Sequence, residues 1–413
     1  MINKTPLLSS DSEIFDLIQK EEKRELETIR LIPSENYISL AVQEASGSIL
    51  SNKYSEGYPG KRYYEGQEYV DQIENIAIDR AKKLFNTDYH FNVQPYSGSP
   101  ANLAAITAMC APGDTIMGLE LSHGGHLTHG YKLSLTGKIF NSVQYQVNKE
   151  THLLDFNEIL EKAKEVKTKL IIAGFTAYPR EFDFKEFRKI ADEVRAYLMA
   201  DIAHISGLVA AGVHNSPFGI ADVITSTSHK SLRGPRGAFI ACKPEFAKQI
   251  DKTIIPGLQG GPHNNTTAAM AIAFLEAQQP EFKTYAEQIV KNAKRLSEEL
   301  MNLGYKLVTN GTSNHLMVID MVASKNIMGK DASLALIKAN IECNANTVPF
   351  DQNGPLKPSG IRLGTPAVTT IGMVENDMKT IAILIDKAIN SYQNDEELLK
   401  IKSEVIDFMK RFN

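Results

Sequence analysis

Short apolar runs alternate with amphipathic stretches through the middle of the chain. DTIMGLEL, KLIIAGF, YLMADIAH and DVITSTS read as strands, bounded by polar or turn-forming residues. Between the second and third, Phe184, Phe187, Ile190, Ala191 and Val194 recur at helical spacing. Lys185, Arg188, Lys189 and Asp192 take the opposite side, as a crossover helix between parallel strands requires. The pattern predicts an α/β fold, a mostly parallel sheet covered by helices.

The pattern changes at Pro280, where EFKTYAEQIVKNAKRLSEELMNLG forms one long amphipathic stretch ending at Gly304 in a C-terminal capping position. Beyond it, strand-like KLVT and HLMVIDM precede helix-like DASLALIKAN, and a charged helix closes the chain. We therefore expect a large unit over residues 1–279 and a smaller α+β unit over residues 280–413. Neither an internal repeat nor a low-complexity tract interrupts this plan.

Composition narrows the function classes. At 413 residues, 43% hydrophobic and 23% charged, the chain has ordinary globular values and can bury a large core. Its net charge of -4 gives no basic footprint for nucleic acid or an anionic membrane. Cys110, Cys242 and Cys343 are widely separated, which suits free thiols in a reducing compartment. No run approaches a membrane span and the start lacks a signal-peptide core, so a cytoplasmic protein is expected.

The densest chemistry lies in DVITSTSHKSLRGPRG, where a hydroxyl-rich strand runs into His229 and Lys230. An isolated Ser-His-Lys is usually a solvated basic loop. A partly desolvated lysine, however, has a lowered pKa and a neutral amine able to form a Schiff base with an aldehyde cofactor. Pyridoxal phosphate would also need an acid for its ring nitrogen, and Asp201 at the end of YLMAD occupies the carboxyl end of a strand. Its phosphate would need helix N-terminal amides, which Ser97, Gly98 and Ser99 supply ahead of a run of helix formers. Gly260 and Gly261 in GLQGGP offer a second anion-binding turn. In SHGGHLTHG, His123, His126 and His129 are three apart, but the glycines disfavour a regular helix and no carboxylate or cysteine completes a metal shell. One or two structural histidines, with one facing a ligand, are the favoured reading there, and a metal site is the alternative.

The ordered set LIPSENY, NKYSEGYPGKRYYEGQEYVD, SGSPAN, LSHGGHLTHG, DIAHISGLVAAG, TSTSHKSLRGPRG, PGLQGGP and SGIRLGTPA resembles serine hydroxymethyltransferase over nearly the whole chain. The resemblance implies a pyridoxal-phosphate enzyme of the aspartate-aminotransferase fold type, and a homodimer, or a tetramer, with shared active sites. Its substrates would be serine, glycine and tetrahydrofolate. It also implies roles for named residues. Lys230 would carry the cofactor, Asp201 would face the pyridine nitrogen, and His126 would stack on the ring, leaving His123 and His129 as structural candidates with no metal implied. His204 and Thr227 would lie on the other side, and His229 beside the lysine would join the catalytic set. Ser97, Gly98 and Ser99 would hold the phosphate, with Tyr54 and Gly261 reaching it from the neighbouring subunit. Arg362, assisted by Ser34 and Tyr64, would hold the amino-acid carboxylate, and Glu56 would be the acid-base carboxylate. Leu121, Gly125, Leu127 and Asn346 would contact the pterin.

Four departures stand out: Tyr96 where a histidine is usual, Pro100 for a polar residue, Asn265 for a histidine and Ala345 for a lysine. Pro100 is compatible with a first helical turn. Among rivals, EGYPGKRYY fails as a phosphate loop because Arg62 takes the Ser/Thr position and Ser55 stands where the first glycine belongs. A non-catalytic scaffold would leave Lys230, Asp201, Glu56 and Arg362 without purpose. A folate-independent aldolase for threonine-like amino acids would leave Glu56 and the pterin stretch without one.

Overall fold

The computed structural model describes residues 5–354 and 356–412; residues 1–4 of the expected first unit, and Pro355 and Asn413 of the second, lie outside the described residues. The main sheet contains β1 (His90–Asn92), β2 (Thr115–Leu119), β3 (Asn141–Tyr145), β4 (Leu170–Gly174), β5 (Tyr197–Asp201), β6 (Val223–Thr227) and β7 (Ala238–Cys242). Their spatial order is β1-β7-β6-β5-β4-β2-β3. The pairs from β3 through to β6 are parallel, and β7 alone runs against its neighbours β6 and β1. All four strands read from the sequence are central members. Their residues are buried almost without exception, as expected for strands covered on both faces.

Helix α1 (Gly98–Met109) follows β1, and α2 (Phe184–Val194) is the crossover between β4 and β5. The Asp183 carboxylate accepts the Lys185 and Glu186 N–H groups at the start of α2, while Phe184, Phe187, Ile190 and Ala191 are buried. Helix α3 (Pro280–Asn302) begins with proline, where the missing N–H costs nothing. It ends before Gly304, whose φ of +86° is the left-handed conformation a side chain would resist.

One face of α3 joins two cores. Phe282, Tyr285, Ala286 and Ile289 pack with the main sheet, whereas Ala293, Leu296 and Leu300 pack with a second cluster. That second cluster covers a small antiparallel sheet of β8 (Lys306–Leu307), β9 (Leu316–Asp320), β10 (Asn344–Asn346) and β11 (Gly360–Gly364), ordered β8-β9-β11-β10. A short helix, α4 (Pro366–Thr370), follows β11. The KLVT strand is shorter than the sequence pattern suggests. It stops at Leu307 because Arg180 donates to the Thr309 hydroxyl at 3.0 Å and to the Asn310 carbonyl at 3.1 Å, drawing residues 308–310 into a turn with Thr309 at φ +61°. The N-terminal arm also crosses to this side: Ile29–Arg30 pairs in parallel with Ile341–Glu342, and Ile29 and Leu31 lie in the second cluster.

Candidate active site

The carboxyl ends of β4, β5 and β6 converge with the start of α1. Asp201, the last residue of β5, is buried and accepts from His129 Nε2 at 2.9 Å, Asn102 Nδ2 at 2.7 Å and the Ala203 N–H at 3.0 Å. Burial opposes its charge, yet the His129 and Asn102 hydrogen bonds hold the carboxyl well below the usual carboxylate range. Asn102 also donates to Thr128 Oγ1 at 2.7 Å, and that hydroxyl lies 2.6 Å from His126 Nδ1. One amide thus connects Asp201 to the ring of His126. Burial, with His129 adding to it, pushes the His126 imidazolium down to about 4, so its ring is neutral.

Lys230 follows the end of β6 and is buried. Burial lowers its ammonium to about 8, with Arg362 and Arg236 pushing the same way and Asp201 opposing them. Thr227 donates to the Ala203 carbonyl at 3.3 Å, and a Cβ on Gly98 would come within 2.7 Å of Thr227 Cγ2. The start of α1 is therefore pressed against the strand that carries the lysine. Ser97 caps α1 in extended conformation without a side-chain capping bond, which leaves its hydroxyl and the first-turn amides for an anion. Pro100 is the third residue of α1, and the helix continues through it to Met109.

His204 is fully enclosed, with Nδ1 3.2 Å from His315 Nε2. Burial drives both rings neutral, His315 to about 3 and His204 well below its ordinary value. His229 is likewise neutral, at about 3, through burial beside Arg236 and Lys230, and its Nδ1 is buried without a hydrogen-bond partner.

Arg362, in β11, donates from Nε and Nη2 to Asn344 Oδ1 at 3.1 and 2.7 Å, and from Nη1 to the Thr176 carbonyl at 2.5 Å. Its partners among the described residues are neutral oxygens, and burial lowers it to about 10. A desolvated guanidinium facing neutral oxygens calls for a negative ligand. Ser34 is half-buried, and the residues before it reach the end of the same strand: Pro33 packs on Gly364, and Leu31 O accepts the Gly364 N–H at 2.8 Å.

A second group forms around the glycine turn. The Tyr54 ring lies so close to Gly261 that a Cβ there would meet Tyr54 Cε1 at 2.9 Å, and Glu56 lies beside both glycines. The Glu56 N–H donates to the Tyr64 hydroxyl at 3.1 Å. Tyr96 joins this group to the α1 loop, donating to the Gly261 carbonyl at 2.9 Å and stacking on His263 at 4.4 Å. Asn265 donates to the Ser46 carbonyl at 2.7 Å and is occupied structurally.

The 121–127 stretch forms a third group. Thr176 Oγ1 donates to the Gly125 carbonyl at 2.7 Å, so the residue that accepts from Arg362 also fixes this loop. Gly125 tolerates no side chain, since a Cβ would sit 1.9 Å from Leu119 O. Leu121 is half-buried and Leu127 is 49% exposed. Asn346 lies in β10, and the adjoining Thr347 hydroxyl is 3.5 Å from Ser122 O.

The three histidines of SHGGHLTHG have separate jobs. His123 accepts from the Val147 N–H at 3.2 Å and sets its ring edge-on to Phe350, His126 is held by Thr128, and His129 holds Asp201. Sequence reasoning left His129 as a structural candidate and passed over Asn102, Asn344, Thr176 and His315. Asn102 and His129 did carry a signal, since each stands inside a quoted motif; His315 only opens a strand. Arg62, read from sequence as the residue that spoils a phosphate loop, is a buried structural hub bonded to Asp71 at 2.8 Å and Glu74 at 2.7 Å.

A mostly parallel sheet with a desolvated lysine, a buried carboxylate and a helix N-terminus at one end defines a pyridoxal-phosphate-dependent transferase of the aspartate-aminotransferase fold type. A sequence profile of the family described as serine hydroxymethyltransferase matches residues 7–385. The chain is 57% identical to the serine hydroxymethyltransferase of Desulfotalea psychrophila over 408 residues, covering 99% of this chain and 95% of that protein. It is 57% identical over 412 residues to that of Acidothermus cellulolyticus, covering 98% and 96%. For the protein of the same description from Sorangium cellulosum, identity is 55% over 402 residues, covering 97% and 95%. The chain belongs to the serine hydroxymethyltransferase family.

Proposed function

We propose that this chain transfers the hydroxymethyl carbon of L-serine reversibly to tetrahydrofolate, giving glycine and 5,10-methylenetetrahydrofolate. The observation that carries the amino-acid side is Arg362, a desolvated guanidinium with neutral partners, close enough to Lys230 to depress its pKa. Planar bidentate donors suit a carboxylate, so Arg362 binds that of serine or glycine, with Ser34 and Tyr64 completing its pocket.

The residues fit pyridoxal phosphate: uncapped Ser97 and the amides of Gly98 and Ser99 for the phosphate, ionised Asp201 for the ring nitrogen, and neutral His126 for a ring face. When bound, the cofactor supplies an electron sink for the bonds around the amino-acid α-carbon. Lys230, lowered to about 8, presents a usable neutral amine near pH 7.5. His204, His229 and Thr227 line the same enclosure as neutral groups that orient without adding charge. Glu56 moves a proton between the serine hydroxyl and the pterin, and Leu121, Gly125, Leu127 and Asn346 hold the pterin.

We further propose a homodimer, supported by the exposed side chains Leu40 (70%), Ile49 (71%), Tyr54 (64%) and Tyr69 (71%), of which Tyr54 lies against Gly261. In it Tyr54 and Gly261 serve the partner's phosphate site. A division of the chain near residue 280 and a cytoplasmic location belong to the same proposal. Among the described residues no helix is long and apolar enough to cross a membrane.

The test is the visible spectrum of the purified protein with glycine, before and after tetrahydrofolate. A long-wavelength band that grows strongly with the folate is expected. A cofactor band indifferent to folate would favour the folate-independent aldolase, and Lys230→Ala should abolish turnover.

A further inference from the structure

We infer that Asn36, in the N-terminal arm, is a positioning residue for Lys230. Its Nδ2 donates to the Lys230 carbonyl at 3.0 Å and to the Tyr285 hydroxyl at 2.7 Å. Its Oδ1 accepts from the Thr370 hydroxyl at 2.6 Å and from the Tyr37 N–H at 2.9 Å. Both donor hydrogens and both acceptor lone pairs are used, so the amide has one orientation and no freedom to turn.

The same turn is gripped from other sides. The Tyr285 hydroxyl donates to the Ser231 carbonyl at 3.3 Å, and Ser231 Oγ donates to the His204 carbonyl at 3.2 Å. Arg233, left-handed at φ +55°, returns its N–H to the Lys230 carbonyl at 3.1 Å and lays its guanidinium 4.1 Å from the Tyr285 ring centre. A left-handed arginine needs surroundings that hold it, and the Asn36–Tyr285 pair supplies them.

What distinguishes Asn36 from an ordinary loop anchor is the set of elements it joins. Thr370 ends α4, which directly follows the strand bearing Arg362; Tyr285 lies on α3, which packs on both cores. Asn36 itself lies in the arm whose Ile29–Arg30 pairs beside the small sheet. One amide thus sets the Lys230 main chain relative to the body that carries Arg362. Lysine and arginine must meet the same small amino acid, so their relative placement governs reaction more than binding. This inference rests on the reading of Lys230 as the cofactor-bearing lysine.

The experiment uses Asn36→Asp and Asn36→Ala holoenzymes. Aspartate keeps the shape but turns an acceptor toward the Lys230 carbonyl. Four quantities are measured: the stopped-flow rate at which glycine displaces Lys230 from the cofactor, the rate of pyridoxal phosphate loss on dilution, KM for serine and thermal stability. We expect displacement slowed about tenfold or more and faster cofactor loss, with KM within about threefold because the Arg362 partners are intact. Thr370→Val, which removes one donor to Asn36, should move the same rates by less, and it carries the test if the Asn36 variants do not fold. Displacement and cofactor loss within twofold of the unmodified protein would overturn the inference, as would changes that merely track lost thermal stability. Borohydride reduction and peptide mapping of the unmodified protein separate the two levels. Cofactor fixed elsewhere than Lys230 defeats the functional reading, whereas cofactor on Lys230 with unaltered Asn36 variants defeats only the positioning role.

Discussion

His129 Nε2 lies 2.9 Å from Asp201 Oδ2, while His129 Nδ1 accepts the His126 N–H at 3.3 Å. The backbone donor occupies Nδ1 as an acceptor, so Nε2 carries the proton that His129 donates to the carboxylate, which keeps it ionised. Hydrogen bonds to a charged group contribute roughly 1.5–3 kcal/mol. His129→Ala should therefore weaken pyridoxal phosphate binding by about ten- to a hundredfold, read from an absorbance titration of cofactor-depleted protein. Unchanged affinity would show that Asn102 and the Ala203 amide suffice for Asp201.

A second prediction follows from the contact between α1 and β6. A methyl on Gly98 would sit 2.7 Å from Thr227 Cγ2, which forces one of the two elements to shift. Overpacking of this kind costs about 1–3 kcal/mol. Thr227→Ser removes the obstructing methyl and retains the hydroxyl that bonds to Ala203. Gly98→Ala should lose stability and cofactor affinity, and Gly98→Ala/Thr227→Ser should recover most of both. A double-mutant cycle with coupling below about 0.5 kcal/mol would refute the steric explanation.

The parts that were legible in the sequence are those whose signal is local. Continuous apolar runs marked β2, β4 and β5, because strands covered on both faces need no polar alternation, and β-branched Val223, Ile224 and Thr225 marked β6. Helical spacing and Gly304 marked α2 and α3 for the same reason. The antiparallel course of β7 and the pairing of Ile29–Arg30 with Ile341–Glu342 depend on distant partners, which a local pattern does not encode. At the site, motifs named Lys230, Asp201 and His126, but the spacing of three gave each histidine equal standing. Only the fold shows that His129 reaches Asp201 and that His123 meets Phe350 instead. Asn36 stood inside a quoted motif as an unremarked polar residue, since what it touches is far away in the chain.

Arg362→Lys tests the proposed carboxylate pocket more sharply than truncation. The guanidinium serves Asn344 and Thr176 with three nitrogens in one plane. An ammonium keeps the charge but not the fork. We expect kcat/KM for serine to fall by roughly a hundredfold for Arg362→Lys and further for Arg362→Ala, mainly through KM, matching the few kcal/mol of a charge-assisted pair. Steady-state kinetics against serine and glycine decide it; an undiminished response to both substrates would remove Arg362 from the carboxylate role.

Acid stability reports on the buried histidines. His126, at about 4, and His229 and His315, at about 3, are neutral in the folded protein because burial disfavours the imidazolium. In the unfolded chain the same rings titrate near about 6.5, so below that pH the unfolded state binds more protons and folding stability falls with pH. Above it both states are neutral and the three contribute no slope. Asp201, whose pKa is depressed, is ionised in both states until about pH 5 and does not offset the loss. Lowering the pH from 6.5 to 5.5 should then remove on the order of 3 kcal/mol, well before the carboxylates titrate. Denaturant unfolding at pH 7.5, 6.5 and 5.5 measures this directly. A midpoint unchanged down to pH 5.5 would mean that these rings accept protons without unfolding, and that the neutral enclosure around Lys230 is not maintained by burial.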